Sequence, residues 1–157
     1  MNTIKLYIDT SIIGAIYDIE DQDRVDTTKK LLDMIKNREY DGYISDIVLL
    51  EIYSAPEKIK SGLVQVIEED NFKILEETKE SLELVNEYGL DEIFPKGSRD
   101  DSRHIAIAVT NDMDAVVSWN FKHMVNITKK KMINAVNLRS GCKQIDIVSP
   151  YEVIDYE

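Results

Sequence analysis

With a single cysteine, Cys142, the chain has no route to an internal disulfide or to a cysteine-rich zinc site. A small buried or half-buried thiol is the simplest reading of that residue. Long apolar runs are missing as well. The longest, Ile105 to Val109, is far too short to cross a bilayer, which leaves no membrane partner to expect. No charged-then-apolar leader precedes the first apolar segment, so no signal peptide is expected and the cytoplasm is the expected location. Repeats, low-complexity tracts and linker-like stretches are also lacking. At 157 residues this predicts one domain spanning 1–157, with a single core.

What is present is an ordinary globular composition, 43% hydrophobic and 31% charged, which excludes wholesale disorder. The net charge of −11, taken as a whole, argues against nucleic acid as a partner. Its distribution weakens that argument. Residues 1–118 carry 13 Lys and Arg against 26 Asp and Glu. From Trp119 to Ile145 there is no acid, and Lys122, Lys129, Lys130, Lys131, Arg139 and Lys143 contribute +6. Such a segment fits a contact with a polynucleotide or an acidic protein, and equally a solvated helix face.

Strand-like and helix-like patterns alternate along the chain. "IKLYI" reads as a buried strand leading to a helix near Ser11, and Val25 to Asn37 has helical spacing. "DGYIS" follows as a strand, with Ser45 or Asp46 capping the helix "DIVLLEIYSA", which Pro56 ends. A further helix is expected from Glu57 to Glu68, a strand at "FKIL", and a helix from Glu76 to Tyr88 with Gly89 as its stop. Ser98 is the expected cap of "RDDSRHIAIAVT". The strand "AVVSW", a basic helix near Thr128 to Leu138 and the strand "IDIVS" complete the set. This alternation predicts an α/β fold, a three-layer sandwich around a mostly parallel sheet covered on both faces. Sites in open sheets of this kind lie beyond the carboxyl ends of the strands, and Asp9 and Asn120 fall at two such ends.

Three acids sit where packing alone would not put them. Asp9 closes an apolar strand at a helix start, where a turn or cap role would also explain it. Glu51 has Ile47, Val48, Ser54 and Ala55 as its helical neighbours, a face suited to packing. A carboxylate there is paired, metal-bound or at a cleft edge, because an uncompensated one costs several kcal/mol. Asp101 precedes His104, Ile105 and Ala108 on one face, although Ser98 and Asp101 also have the spacing of a capping box. Asp100 could serve the helix end while Asp101 faces inward. The sequence does not decide between them. Carboxylates gathered at one end of a sheet call for a cation, and oxygen donors with two histidines and no usable cysteine favour Mg²⁺ or Mn²⁺ over Zn²⁺. Hard ions held in this way hydrolyse phosphodiesters.

"YIDTSIIG", "SDIVLLEI", "DDSRHIAIAV" and "VVSWNFKHM", in that order, resemble the PIN-domain nucleases, and the likeness runs from Leu6 to about Val148. The resemblance implies a three-layer α/β/α sandwich and divalent-metal-dependent cleavage of RNA, frequently as the toxin of a prokaryotic toxin–antitoxin pair. It makes Asp9, Glu51 and Asp101 the metal-holding and catalytic acids, a cognate antitoxin an expected partner, and a homodimer an open alternative. Many members carry a fourth acid where this chain has Asn120, which would orient a water or the scissile phosphate without adding charge. His123 could transfer a proton, but it and His104 read more simply as structural histidines. Thr10 or Ser11, with nearby helix N–H groups, could meet a phosphate oxygen, and Lys129, Lys130 and Lys131 could hold the RNA backbone. Two other classes remain open: a non-catalytic module of the same fold, and an aspartyl-phosphate phosphotransferase. The latter lacks its D-x-D pair, since Thr10 and Ser11 follow Asp9.

Overall fold

The structure is a computed structural model in which residues 3–154 are described. Five parallel strands form one sheet in the order β3-β2-β1-β4-β5. They are β1 (Lys5–Ile8), β2 (Asp41–Ser45), β3 (Lys73–Leu75), β4 (Ala115–Val117) and β5 (Asp146–Val148). Helices α1 (Thr10–Gly14) and α2 (Gln22–Lys36) join β1 to β2, and α3 (Asp46–Tyr53) and α4 (Glu57–Glu69) join β2 to β3. Helices α5 (Lys79–Leu90) and α6 (Arg99–Thr110) lead to β4, and α7 (Ile127–Arg139) leads to β5. The result is the expected three-layer α/β/α sandwich.

The central strands are short and apolar because both of their faces are covered. Leu6, Tyr7, Ile8, Val116 and Val117 are all buried, and each such side chain contributes about 1.5–3 kcal/mol relative to exposure. The edge departs from that pattern. Lys73 and Ile74 of β3 are exposed, and a lysine on a short edge strand discourages pairing with another sheet.

Helix ends follow local chemistry, with two differences from the sequence reading. Ser45 caps α3 by accepting from the Ile47 N–H at 3.2 Å, as expected. Gly89 does not stop α5. The helix continues to Leu90, and Glu92 takes the left-handed conformation at φ 53°. Ser98 precedes α6 but makes no side-chain cap bond, so the capping box with Asp101 does not form. That leaves the Asp101 carboxylate free for another partner.

The topology fixes where a site can lie. From β1 the chain builds outward through β2 and β3 on one side, then through β4 and β5 on the other. The switch point is therefore the crevice beyond the carboxyl ends of β1 and β4. Ile8 pairs with Val117 across it, and the Asp9 N–H donates to the Val117 carbonyl at 3.3 Å.

Candidate active site

Asp9 is the residue the crevice is built around. It stands at the N-cap position of α1 without a side-chain cap bond of ordinary geometry, although the Ile12 N–H favours its ionised form. Its two carboxyl oxygens accept instead from Ser11 Oγ and Ser118 Oγ, each at 2.6 Å. Ser118 continues directly from β4, and its Oγ in turn accepts from the Asn120 N–H at 3.0 Å. Burial pushes the Asp9 carboxyl above the usual carboxylate range, although His104 and the two serine hydroxyls oppose the shift.

Glu51 reaches the same crevice from α3. It is half-buried beside the packed face formed by Ile47, Val48 and Ile52, and it is paired. Thr10 Oγ1 donates to its Oε1 at 3.1 Å, and His104 Nε2 lies 2.5 Å from the same oxygen. Burial alone would raise the Glu51 carboxyl. The His104 bond and charge, with Thr10, outweigh it and hold the group below its ordinary value.

Asp101, on the first turn of α6, accepts from Asn120 Nδ2 at 3.3 Å. Its carboxyl is raised, chiefly by burial. His104 and His123 pull the other way, and the charges of Asp9 and Glu51 reinforce the rise. The neighbouring acid has a different task. Asp100 accepts from Arg103 at 3.0 Å on the outer side of the helix, where Glu77 binds the same guanidinium through two contacts of 2.8 Å. The two adjacent acids, indistinguishable in sequence, thus face different partners.

Asn120 ties the strand end to the helix, since its Oδ1 also accepts from the His123 N–H at 3.0 Å. Thr10 and Ser11 are both engaged with the acids, Thr10 with Glu51 and Ser11 with Asp9. The lysine run is more dispersed. Lys129 Nζ donates to the Ile93 carbonyl and lies 5.9 Å from the Phe94 ring, and Lys130 meets Asp146 at 3.5 Å. Lys131 is exposed and has no ion pair among the described residues. None of the three is bonded to Asp9, Glu51, Asp101 or Asn120.

His104 is the residue whose position the sequence reading undervalued. It is buried, with Nδ1 2.6 Å from the Tyr7 hydroxyl and Nε2 on Glu51. Burial would lower its pKa, but the Glu51 bond and the charges of Asp9, Glu51 and Asp101 raise it. One signal was available: His104 lies three residues after Asp101, on the same helix face.

The donor set suits a hard divalent cation in kind, being three carboxylates with no thiolate. Its arrangement is one of separate hydrogen-bonded acids. Among the described residues no three His, Cys, Asp or Glu side chains are gathered into a cage.

The profile of the family described as "PIN domain" matches residues 5–122. The chain belongs to the PIN-domain family. Solved structures agree on the fold. The PIN-domain chain is similar to VapBC2 of Rickettsia felis, bound to a DNA fragment from its promoter, with 12% identity and a TM-score of 0.61. That likeness covers 93% of this chain and 98% of the other. DNA-bound VapBC of Salmonella typhimurium gives 17% identity and a TM-score of 0.60 over 94% and 99% of the two chains. VapC20 of Mycobacterium tuberculosis, a toxin that cleaves the sarcin–ricin loop, gives 15% identity and a TM-score of 0.58 over 75% and 92%. No curated protein matches the sequence. No helix among the described residues is long and apolar enough to cross a membrane.

Proposed function

We propose that this PIN domain is a divalent-metal-dependent endoribonuclease, with Asp9, Glu51 and Asp101 as the acids that hold the ion. The reading is supported by three acids from three separate elements in the hydrogen-bonded neighbourhood of the β1–β4 switch point, Asp9 with Ser11 and Ser118, Glu51 with Thr10, and Asp101 with Asn120. Two of them, Asp9 and Asp101, have no Lys or Arg partner among the described residues. A fold that needed these acids only for stability would supply a base, as it does for Glu77. Mg²⁺ or Mn²⁺ bound there would neutralise charge on the phosphoryl oxygens and acidify a water.

The chain's own residues do the rest. Ser11 and Ser118 fix both oxygens of Asp9, so its orientation is set by β1 and β4 together. Asn120 steadies Asp101 and orients a water or the scissile phosphate from the β4 end. Thr10, besides holding Glu51, stands at the start of α1, where a phosphate oxygen would meet helix N–H groups. Lys131, with Lys130, supplies phosphate contacts at a distance from the acids. RNA as substrate draws support from VapC20, whose described target is the sarcin–ricin loop. A cognate antitoxin draws support from the two VapBC complexes, and the cytoplasm is the compartment this role needs.

One observation favours a second reading. Asn120 adds no charge where many relatives have an acid, and a module that only binds RNA or protein would tolerate that. Purified protein incubated with labelled RNAs in Mg²⁺, Mn²⁺ or EDTA separates the two. The enzyme reading expects cleavage with either metal and none in EDTA. Tight RNA binding without cleavage under any of these conditions would establish the binding module instead.

A further inference from the structure

A buried hydrogen-bonded chain runs from the sheet to Glu51. Ser45 Oγ accepts from the Ile47 N–H and lies 2.7 Å from the Tyr7 hydroxyl. That hydroxyl is 2.6 Å from His104 Nδ1, and His104 Nε2 is 2.5 Å from Glu51 Oε1. Tyr7, Ser45 and His104 are all buried, so water does not compete along this path.

The direction of the chain follows from what each group can offer. A carboxylate oxygen only accepts, and Glu51 Oε1 takes the Thr10 hydroxyl as well, so the proton between it and His104 sits on Nε2. Ser45 has an acceptor bond from the backbone and donates onward to the Tyr7 oxygen. Tyr7 then donates to Nδ1. In the doubly protonated ring Nδ1 donates to the Tyr7 oxygen and Tyr7 donates to Ser45, which reverses that part of the chain, while Nε2 donates to Glu51 in both states.

We propose that His104 is a positioning residue for Glu51, with its ring locked in turn by Tyr7. Glu51 has a long side chain that is only half-buried. Left to itself it would sample solvent-facing rotamers. The imidazole clamps Oε1 and leaves Oε2 to face a ligand. Two backbone elements thereby set the aim of one carboxylate: β1 through Tyr7, and α6 through His104. This inference rests on the cation-holding role given to Glu51 above.

Mn²⁺ affinity, read from the free-ion electron paramagnetic resonance signal, tests it apart from catalysis. His104→Asn keeps a polar partner for Tyr7 but is too short for Glu51, whereas His104→Gln places an amide N–H near the former Nε2. The Asn variant should weaken Mn²⁺ binding by roughly 10- to 100-fold, and the Gln variant should recover most of it. Thermal melts in EDTA report whether each variant is folded. Tyr7→Phe keeps the ring packing and removes only the lock, so a several-fold loss is expected there, and it decides the matter if the Asn variant does not fold. Wild-type affinity in folded His104→Asn, or in Tyr7→Phe where the Asn variant does not fold, overturns the inference and leaves His104 a packing residue. Wild-type protein that binds no Mn²⁺, or Asp9→Asn that binds it equally well, overturns the cation reading itself.

Discussion

The two sides of α6 treat acids in opposite ways. On the outer side Arg103 binds Glu77 and Asp100 at 2.8–3.0 Å, and the Arg103 hydrogen bonds hold the Glu77 carboxyl below its ordinary value. On the inner side Asp101 faces Asp9 and Glu51, and burial holds Asp9 and Asp101 above theirs. The Asp100 pair is exposed and contributes about 0–1 kcal/mol, whereas Glu77 is held by a mostly buried, two-contact pair. The inner acids are costly, because like charges lie near one another in a partly buried site and the compensation comes from hydroxyls, an amide and two histidines. Arg103 helps to lower Glu51, but neither Asp9 nor Asp101 has an ion pair with a Lys or Arg among the described residues.

The largest expected effect breaks the comparison at its sharpest point, two adjacent acids. Asp101→Asn should lower single-turnover RNA cleavage by roughly a hundredfold or more, about 3 kcal/mol of lost transition-state stabilisation. Asp100→Asn should change it by about twofold at most, since it removes only a surface ion pair. Asp9→Asn and Glu51→Gln should match Asp101→Asn, and the triple variant should be little worse than any one of them. If Asp100→Asn is the inactive variant, the inward acid has been misassigned.

Opposite carboxyl shifts on the two sides predict opposite pH behaviour of stability. Asp9 and Asp101 are raised in the native state, so their stabilising contribution is present below the ordinary carboxylate range and is lost as pH rises through their native values. Glu77 is lowered, so its contribution is present above that range and is lost as pH falls through its native value. Urea melts in EDTA across a pH series should show Asp9→Asn flattening the loss at higher pH and Glu77→Gln flattening the loss at acid pH. Identical pH slopes in wild type and Asp9→Asn would mean that the carboxyl is not perturbed.

Much of the fold was legible in advance, and the failures have physical reasons. The three acids stand out because each interrupts an apolar period, a pattern that survives without coordinates. The order of strands placed Asp9 and Asn120 at the same end of the sheet. The choice between Asp100 and Asp101 was not legible, since it turns on Arg103 finding Glu77, a partner 26 positions away. Nor was the pairing of His104 with Glu51, because a histidine in an apolar helix reads the same whether its second nitrogen meets a carbonyl or a carboxylate. The Gly89 stop failed because the helix end is set by the turn at Glu92 rather than by the glycine. The lysine run looked like one patch, yet Lys129 is drawn onto Ile93 and Lys130 toward Asp146.

That dispersal sets the smallest predicted effect. Replacing Lys130 and Lys131 by alanine should weaken RNA binding modestly. It should also flatten the dependence on log salt by about 0.7 for each phosphate of a single strand that is no longer neutralised. Lys129→Ala should lower the melting temperature more than it alters the salt slope. Filter binding between low and moderate salt measures the slope. A slope unchanged in the double variant returns these lysines to a solvated helix face.

If Asp9, Glu51 and Asp101 together bind one cation, thermal melts of two proteins will show it. Wild type and Asp9→Asn are each melted in EDTA and then in Mn²⁺. Binding to the native cluster alone stabilises the wild type by about 2.7 kcal/mol once Mn²⁺ is at 100 times its dissociation constant. Asp9→Asn, relieved of one charge, should be slightly more stable in EDTA and gain much less from Mn²⁺. Equal gains in the two proteins would place any bound ion elsewhere and contradict the account.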